Sequence, residues 1–274
     1  MELQQSPAYA EYIRALHWLV FRADGVQMFY KNIPLLGGLL KIQRPGRLPA
    51  PGTLKNLVRE YKVKTVAIDP VEKQDVRSYK KWVIAVSAFT RVVRSGYMPT
   101  KTILVDLRPP EEEMFRRFSE AKRRAVRKAQ KNGVVVKESR DIRELISVKN
   151  KSGGFLGFIT TFGVDKFWNI MSPDHTAILL AKSDRQNLVG GILILFWKGT
   201  AYYWVAGATH EGKKLFAPTL LVWEALRTAK QRGAKWFDFL GVWDERRSTE
   251  HHDWKGFTRF KEGFGGKTKY YPVY

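Results

Sequence analysis

Residues 188–208, LVGGILILFWKGTAYYWVAGA, and residues 218–241, PTLLVWEALRTAKQRGAKWFDFLG, decide the fold. The first segment holds two strand-like apolar runs, Leu188–Trp197 and Thr200–Ala208, joined by the turn dipeptide Lys198-Gly199. The second opens as a helix, with Pro218 in its first turn and Gly233 just past its end. It closes on a strand, Trp236–Leu240, stopped by Gly241. Upstream, Ala177–Ala181 adds another strand, set off by Asp184-Arg185-Gln186-Asn187. Long antiparallel ribbons combined with βα connections predict an α+β class built on mixed α/β sheets.

Working outward, the same alternation recurs. Pro7–Trp18 carries Tyr9, Tyr12, Ile13 and Leu16 at helical spacing, and Val26–Asn32 and Leu39–Gln43 read as strands. Thr53–Tyr61 reads as a helix capped by Thr53, and Thr65–Ile68 as a buried strand stopped at Asp69-Pro70. A helix over Gln74–Val93 broken at Gly96, and a strand over Thr102–Leu107 closed by Pro109-Pro110, complete the first series. The second series opens on a long basic helix, Glu111–Asn132, ended by Gly133. Val134–Lys137 (strand), Ile142–Lys151 (helix) and Val164–Met171 (helix) follow. The repetition predicts two similar lobes of unequal size, residues 1–108 and 109–263.

The 274 residues are 44% hydrophobic and 13% aromatic, which excludes disorder and provides for a sizeable core. Forty-eight Lys and Arg against 26 Asp and Glu leave a net charge of +22, which opposes compaction and points to a polyanionic partner. No cysteine is present, so disulfides and thiolate chemistry are excluded, and the five histidines show no metal-ligand spacing. The longest apolar runs are about half a membrane span, and the first residues lack the pattern of a signal peptide. These features predict a cytoplasmic protein without metal or integral membrane segment.

Three stretches invite a chemical reading. Met114–Lys131 holds Arg116, Arg117, Lys122, Arg123, Arg124, Arg127, Lys128 and Lys131 against one acid, Glu120. On a helical projection Phe115, Phe118, Ala125, Val126 and Ala129 share one face and every basic residue except Lys122 falls on the other. Such a stripe suits a phosphate backbone; i,i+4 pairing with acids is nearly absent from its sequence. Next, the loop Thr209–Leu215 leads into a helix N-terminus, a natural seat for an anion or an oxyanion. An acetyl-CoA enzyme of the GCN5 type places glycines in this loop, whereas here Phe216 and Pro218 would crowd the phosphates and Pro218 removes a donor. Last, Gly256–Gly266 alternates Phe257, Phe260 and Phe264 with Arg259 and Lys261, a pattern open to stacking on a ligand but better suited to core. Asp69, Asp106 and Asp238 end strands, where aspartates more often cap the next turn than act as bases. No nucleophile elbow, Walker loop or dinucleotide motif is present.

Taken in order, several segments resemble the Fem family (FemA, FemB and FemX), tRNA-dependent aminoacyltransferases of peptidoglycan interpeptide bridges. They are Gln5-Ser6-Pro7, Leu16-His17-Trp18, Ile68-Asp69-Pro70, Leu104–Leu107, Lys131–Val134, Tyr203–Ala208, Leu221–Ala225, Phe237–Val242 and Arg259–Gly266. The resemblance implies two GCN5-acetyltransferase-like lobes in the shorter FemX-like form, without a coiled-coil arm, and with the C-terminal tail 264–274 returning to the first lobe. It implies transfer of an amino acid from aminoacyl-tRNA to the stem-peptide amine of a nucleotide- or lipid-linked muropeptide precursor, with no cofactor beyond the aminoacyl-tRNA co-substrate. Peripheral contact with the inner leaflet is compatible with this.

By the same resemblance Lys261 and Phe260 are the expected catalytic pair, Lys261 steadying the ester or its oxyanion and Phe260 ordering that site. Asp69, Arg22, Arg44 and Tyr203 are the expected substrate-binding residues. Arg116, Arg123, Arg124, Arg127, Lys128, Lys131 and Arg259 are expected to meet tRNA. The family's precursor-phosphate lysine aligns with Val20, leaving Arg22 the nearest cation, and its second-lobe arginine falls near Phe162. An acyl-CoA-dependent N-acyltransferase of the same fold and a non-catalytic RNA-binding protein are the alternatives.

Overall fold

In a computed structural model of the chain, residues 2–94, 98–153, 160–247 and 249–273 are described. The chain divides into two compact units, Met1–Thr100 with Tyr270–Tyr274, and Lys101–Lys269.

The first unit starts with α1 (Pro7–Ala15), where Pro7 opens the helix and the Ser6 hydroxyl accepts the Tyr9 amide at 3.1 Å. Five strands form one sheet in sequence order: β1 (Leu19–Ala23), β2 (Val26–Ile33), β3 (Gly37–Gln43), β4 (Val63–Asp69) and β5 (Arg91–Arg94). The first three are an antiparallel meander. The last three run parallel, joined by the crossover helices α2 (Pro51–Glu60) and α3 (Val76–Ser87). Met28, Leu40, Ile42, Leu54, Val66, Ile68 and Trp82 fill the core.

Two sequence expectations are corrected here. α2 begins at Pro51, not at a Thr53 cap, because the Asp24 carboxylate reaches its first turn and takes both the Ala50 amide (2.9 Å) and the Thr53 hydroxyl. α3 stops at Ser87 rather than running to Val93, since Arg91–Arg94 pair with β4 from Thr65 to Ile68. Gly96 lies outside the described residues.

The second unit is a seven-stranded sheet, with β6 (Lys101–Asp106), β7 (Val135–Ser139), β8 (Thr176–Lys182), β9 (Leu188–Trp197), β10 (Thr200–Ala208), β11 (Trp236–Asp238) and β12 (Lys267–Tyr270). Their order is β12-β6-β11-β10-β9-β8-β7. The tail thus supplies an edge strand here before Tyr271 enters the first unit, where its hydroxyl accepts from Arg44.

The predicted basic helix is two helices, α4 (Glu111–Arg116) and α5 (Glu120–Lys131), a second correction of length. Ser119 breaks the run: its amide donates to Gly263 O (2.9 Å) and its hydroxyl accepts from Lys122 N (3.4 Å), an N-cap. Glu120, the one acid of Met114–Lys131, pairs with Arg124 at 3.5 Å, and Glu113 just before the stretch pairs with Arg117. The remaining helices are α6 (Ile142–Ser152), α7 (Val164–Met171), α8 (His210–Lys214), α9 (Ala217–Gln231) and α10 (Lys255–Glu262).

One feature of this sheet positions the site. β10 and β11 are parallel, but their pairing covers only Thr200–Trp236, Ala201–Phe237 and Tyr202–Asp238. Beyond that, β10 shifts register on β9 between Tyr203 and Val205 and runs on to Ala208, while β11 ends. The extra residue, Trp204, stacks on Phe167 of α7 (centroids 4.6 Å apart, planes 11° apart). The sheet therefore opens between two adjacent strands. Behind it Phe264 is fully buried, with ring centroids 5.1 Å from Phe118, 5.6 Å from Phe239 and 5.2 Å from Phe260. Phe264→Ala should cost about 3–5 kcal/mol, read as a lowered denaturant midpoint with unchanged slope; a loss within experimental error would show that these aromatics do not hold the site in place.

Candidate active site

The turn after β11 is built to receive a cation. Asp238 accepts from the Leu240 amide (2.7 Å) and from the Thr102 hydroxyl, so it caps the turn as strand-ending aspartates commonly do. Phe239 N–H donates to Ile103 O (3.0 Å), and Leu240 is held at φ 56°. Phe239 and Gly241 then turn their carbonyls onto one point, where Lys261 Nζ donates to both at 2.7 Å. The ammonium also faces the rings of Phe257 (4.9 Å) and Tyr203 (5.5 Å).

Lys261 is only 7% exposed. Burial pushes its ammonium down from 10.5 to about 8, with Asp238 opposing the shift. α10 places Phe257, Phe260, Lys261 and, just beyond it, Phe264 at i, i+3, i+4 and i+7, so one helix face carries the cation and its aromatic neighbours. Of the three aromatics only Phe264 is pure core; Phe260 is half-buried and Phe257 exposed.

Tyr203 and Phe260 line a cavity of about 470 Å³ in the opened sheet. Gly191 and Gly207 line its strand side, where a side chain on either would run into α6, and Lys213, Phe216 and Pro218 line the side where α8 leads into α9. Phe216 caps α9 at φ 61°, so the loop between β10 and α9 is a short helix and a bulky corner, not a glycine cradle. Burial raises the Tyr203 phenol well above its ordinary value, keeping it protonated.

Helix α5 borders this cavity through two contacts that sequence reading missed. Lys122 Nζ lies 3.7 Å from the Phe260 ring centroid and 5.1 Å from that of Phe264, and Lys128 Nζ lies 5.0 Å from Phe216. Lys122 is the one basic residue that helical projection left on the apolar face, and that oddity was its signal. Burial lowers its ammonium to about 8. Arg116, Arg124, Arg127, Lys128, Lys131 and Arg259 are exposed. Arg123 is not: its guanidinium donates to Arg116 O (3.0 Å) and Phe118 O at the end of α4.

In the first unit, Asp69 is 1% exposed, at the end of β4, with its carboxylate 3.9 Å from Arg94 Nε. Lys41 lies near, its ammonium lowered by burial and favoured by Asp69, with Nζ 4.5 Å from the Trp18 ring. The Arg44 amide donates to Asp69 O (2.8 Å), while its buried guanidinium stacks on Tyr271 (3.7 Å) and donates to the Tyr271 hydroxyl (2.9 Å) and Pro99 O (3.3 Å). Arg22 stands exposed on β1, bonded to Gln27 Oε1 (3.1 Å). Val20 is half-buried beside it, and Phe162 is exposed in the second unit. Among the described residues no His, Asp or Glu cluster forms a metal-ligand set, and no helix is long and apolar enough to cross a membrane.

Comparison with known proteins bears on the fold and the family. Residues 174–272 match the model of the FemAB family. The crystal structure of FemX superposes with a TM-score of 0.75 at 16% identity, covering 98% of this chain and 90% of that one. The C-terminal domain of a putative lysylphosphatidylglycerol synthetase from Agrobacterium fabrum gives 0.60 at 13% identity, covering 97% and 86%. A tandem GNAT protein from the clavulanic acid biosynthesis pathway gives 0.54 at 11% identity, covering 93% and 82%. Curated protein sequences yield no significant match. The Fem-family resemblance is borne out by the family model over residues 174–272, and the two acetyltransferase-like lobes by the structural likeness over nearly the whole chain.

Because Lys261 binds its proton less tightly in the folded chain than in the unfolded one, its desolvation cost is constant below pH 8. Between about 8 and 10.5 the unfolded chain binds more protons, so this residue makes stability rise with pH there. Nitrogen NMR of the lysine side chains should show Lys261 titrating near 8; a midpoint above 10 would contradict the burial described.

Proposed function

We propose that this protein is an aminoacyltransferase that moves an amino acid from aminoacyl-tRNA to the stem-peptide amine of a peptidoglycan precursor, extending an interpeptide bridge. The observation that carries it is the buried Lys261 ammonium, 5.5 Å from the ring of Tyr203, which lines the cavity together with Phe260, the residue that Lys122 of the basic helix α5 contacts. The FemAB family match and the likeness to FemX support the same reading.

The chemistry asks for little. The precursor amine attacks the ester carbonyl carbon, a C–N bond forms, the C–O bond to the tRNA ribose breaks, and one proton passes from nitrogen to the leaving oxygen. No covalent enzyme intermediate is required, so positioning and charge stabilisation are the main terms. Lys261, fixed by two carbonyls, has its charge in place before the oxyanion develops, in surroundings where a charge acts strongly. Phe260 would order the ester against that charge, and Lys122 steadies the Phe260 ring from its other contacts. The exposed cations of α5, with Lys128 at Phe216, would hold the acceptor arm by its phosphates. In the first unit Asp69 with Lys41 and Arg94 forms a mixed-charge cluster that would face the precursor. Phe216 and Pro218 at the α9 terminus speak against the acyl-CoA alternative, since they occupy the corner where a pyrophosphate would need open backbone donors.

Incubation with charged tRNA and nucleotide- or lipid-linked muropeptides, read by mass spectrometry, should give a tRNA-dependent product; none with any amino acid would defeat the proposal. Lys261→Met should lower turnover about 100-fold or more while leaving tRNA affinity mostly intact. Arg124→Gln/Arg127→Gln should weaken tRNA binding and flatten its salt dependence; equal turnover losses from both variants, with no change in affinity, would assign α5 no part in holding tRNA.

A further inference from the structure

The turn joining β2 to β3 breaks a local rule in favour of exposure. Leu36 N–H donates to Ile33 O at 3.1 Å, Pro34 takes the second position, and Leu35 takes the third at φ 68°. That is a type II turn, whose third position calls for Gly or Asn. The chain places a leucine there, fully exposed, and follows it with Leu36 at 75% exposure. Among the described residues neither belongs to a hydrophobic core cluster.

Strand register shows what surrounds this tip. Gly38 pairs with Val63 and Thr65 with Arg91, so the starts of β4 and β5 lie at the same end of the sheet. Exposed Arg59, Lys62, Lys64 and Arg91 gather there, with the Lys64 side chain lying against Gly37. Leu19, half-exposed at the start of β1, lies near the same end, opposite Tyr30. Glu60 is the sole acid within residues 28–43, 59–64 and 89–94. Exposed leucines ringed by cations differ from the stripe on α5, which offers phosphate-binding charge without protruding aliphatic groups. Phosphate backbones gain nothing from leucine, whereas the boundary between lipid headgroups and acyl chains gains from both components.

We propose that this end of the first unit docks on an anionic lipid bilayer, Leu35 and Leu36 entering the headgroup boundary and Arg59, Lys62, Lys64 and Arg91 facing lipid phosphates. The inference is independent of the transfer reaction. The test is sedimentation of the full chain with vesicles of phosphatidylcholine alone or mixed with phosphatidylglycerol. Binding should need the anionic lipid and weaken with salt. Leu35→Gly/Leu36→Ser should reduce partitioning about tenfold or more, with melting temperature unchanged or raised because glycine suits the turn. Lys62→Gln/Lys64→Gln should reduce it about fivefold per charge. Absence of binding, binding to neutral vesicles alone, or full retention by the leucine variant would overturn the proposal. So would a matching loss of tRNA affinity in that variant, which would give the patch to RNA.

Discussion

An ammonium removed from water is the constraint on which the second unit turns. Lys261 loses most of its hydration, and the fold compensates with two carbonyl acceptors, two aromatic faces and the charge of Asp238. Bringing the carbonyls of Phe239 and Gly241 to one point requires a left-handed residue between them, and Leu240 is that residue. A chain that turns so sharply cannot continue as a strand, so β11 ends after three residues while β10 runs on. The opening in the sheet and the seating of the cation are therefore one arrangement, not two.

Most of this sheet was legible because its strands are continuous apolar runs, buried or half-buried: the sequence reading of Leu188–Trp197 and Thr200–Ala208 coincides with their observed bounds. What failed was local in sequence but decided elsewhere. The break at Arg117–Ser119 depends on a bond to Gly263, over a hundred residues on, and the start of α2 depends on Asp24. The β5 strand was read as helix because Arg91–Arg94 becomes a strand only beside β4. At the site, pattern alone assigned Phe257, Phe260 and Phe264 to core, which holds for Phe264. The prominence of Phe260 and Lys261 came from family resemblance; spacing does not show that two distant carbonyls await the lysine.

The charge of +22 divides into two uses. Some cations close the structure: Arg123 caps α4, Arg44 pins the C-terminal tail, and Lys230 Nζ gathers the carbonyls of Leu107, Arg108 and Pro109. Others remain exposed, on α5 and at the hairpin end of the first unit. Counting cations along a helix therefore overstates the surface available to a polyanion, and Arg123 shows that a residue in the middle of a basic stripe can be a structural cap.

Backbone strain separates functional features from ordinary turns. Asp24 and Lys198 have positive φ, but each precedes a glycine in a two-residue hairpin that requires this geometry. Leu35 sits where its type II turn requires positive φ but calls for glycine, and Phe216 and Leu240 lie outside any hairpin; large apolar residues in the left-handed region cost on the order of 1 kcal/mol each. Leu240 is repaid by the lysine turn. Phe216 spends its strain on putting a ring at the cavity, under Lys128 and against the start of α9. Leu35 has no contact inside the fold that would explain its cost, unlike the other two. A strained leucine that faces only water is a local loss in the isolated protein, and a surface that takes it out of water is the physical circumstance in which that loss is recovered.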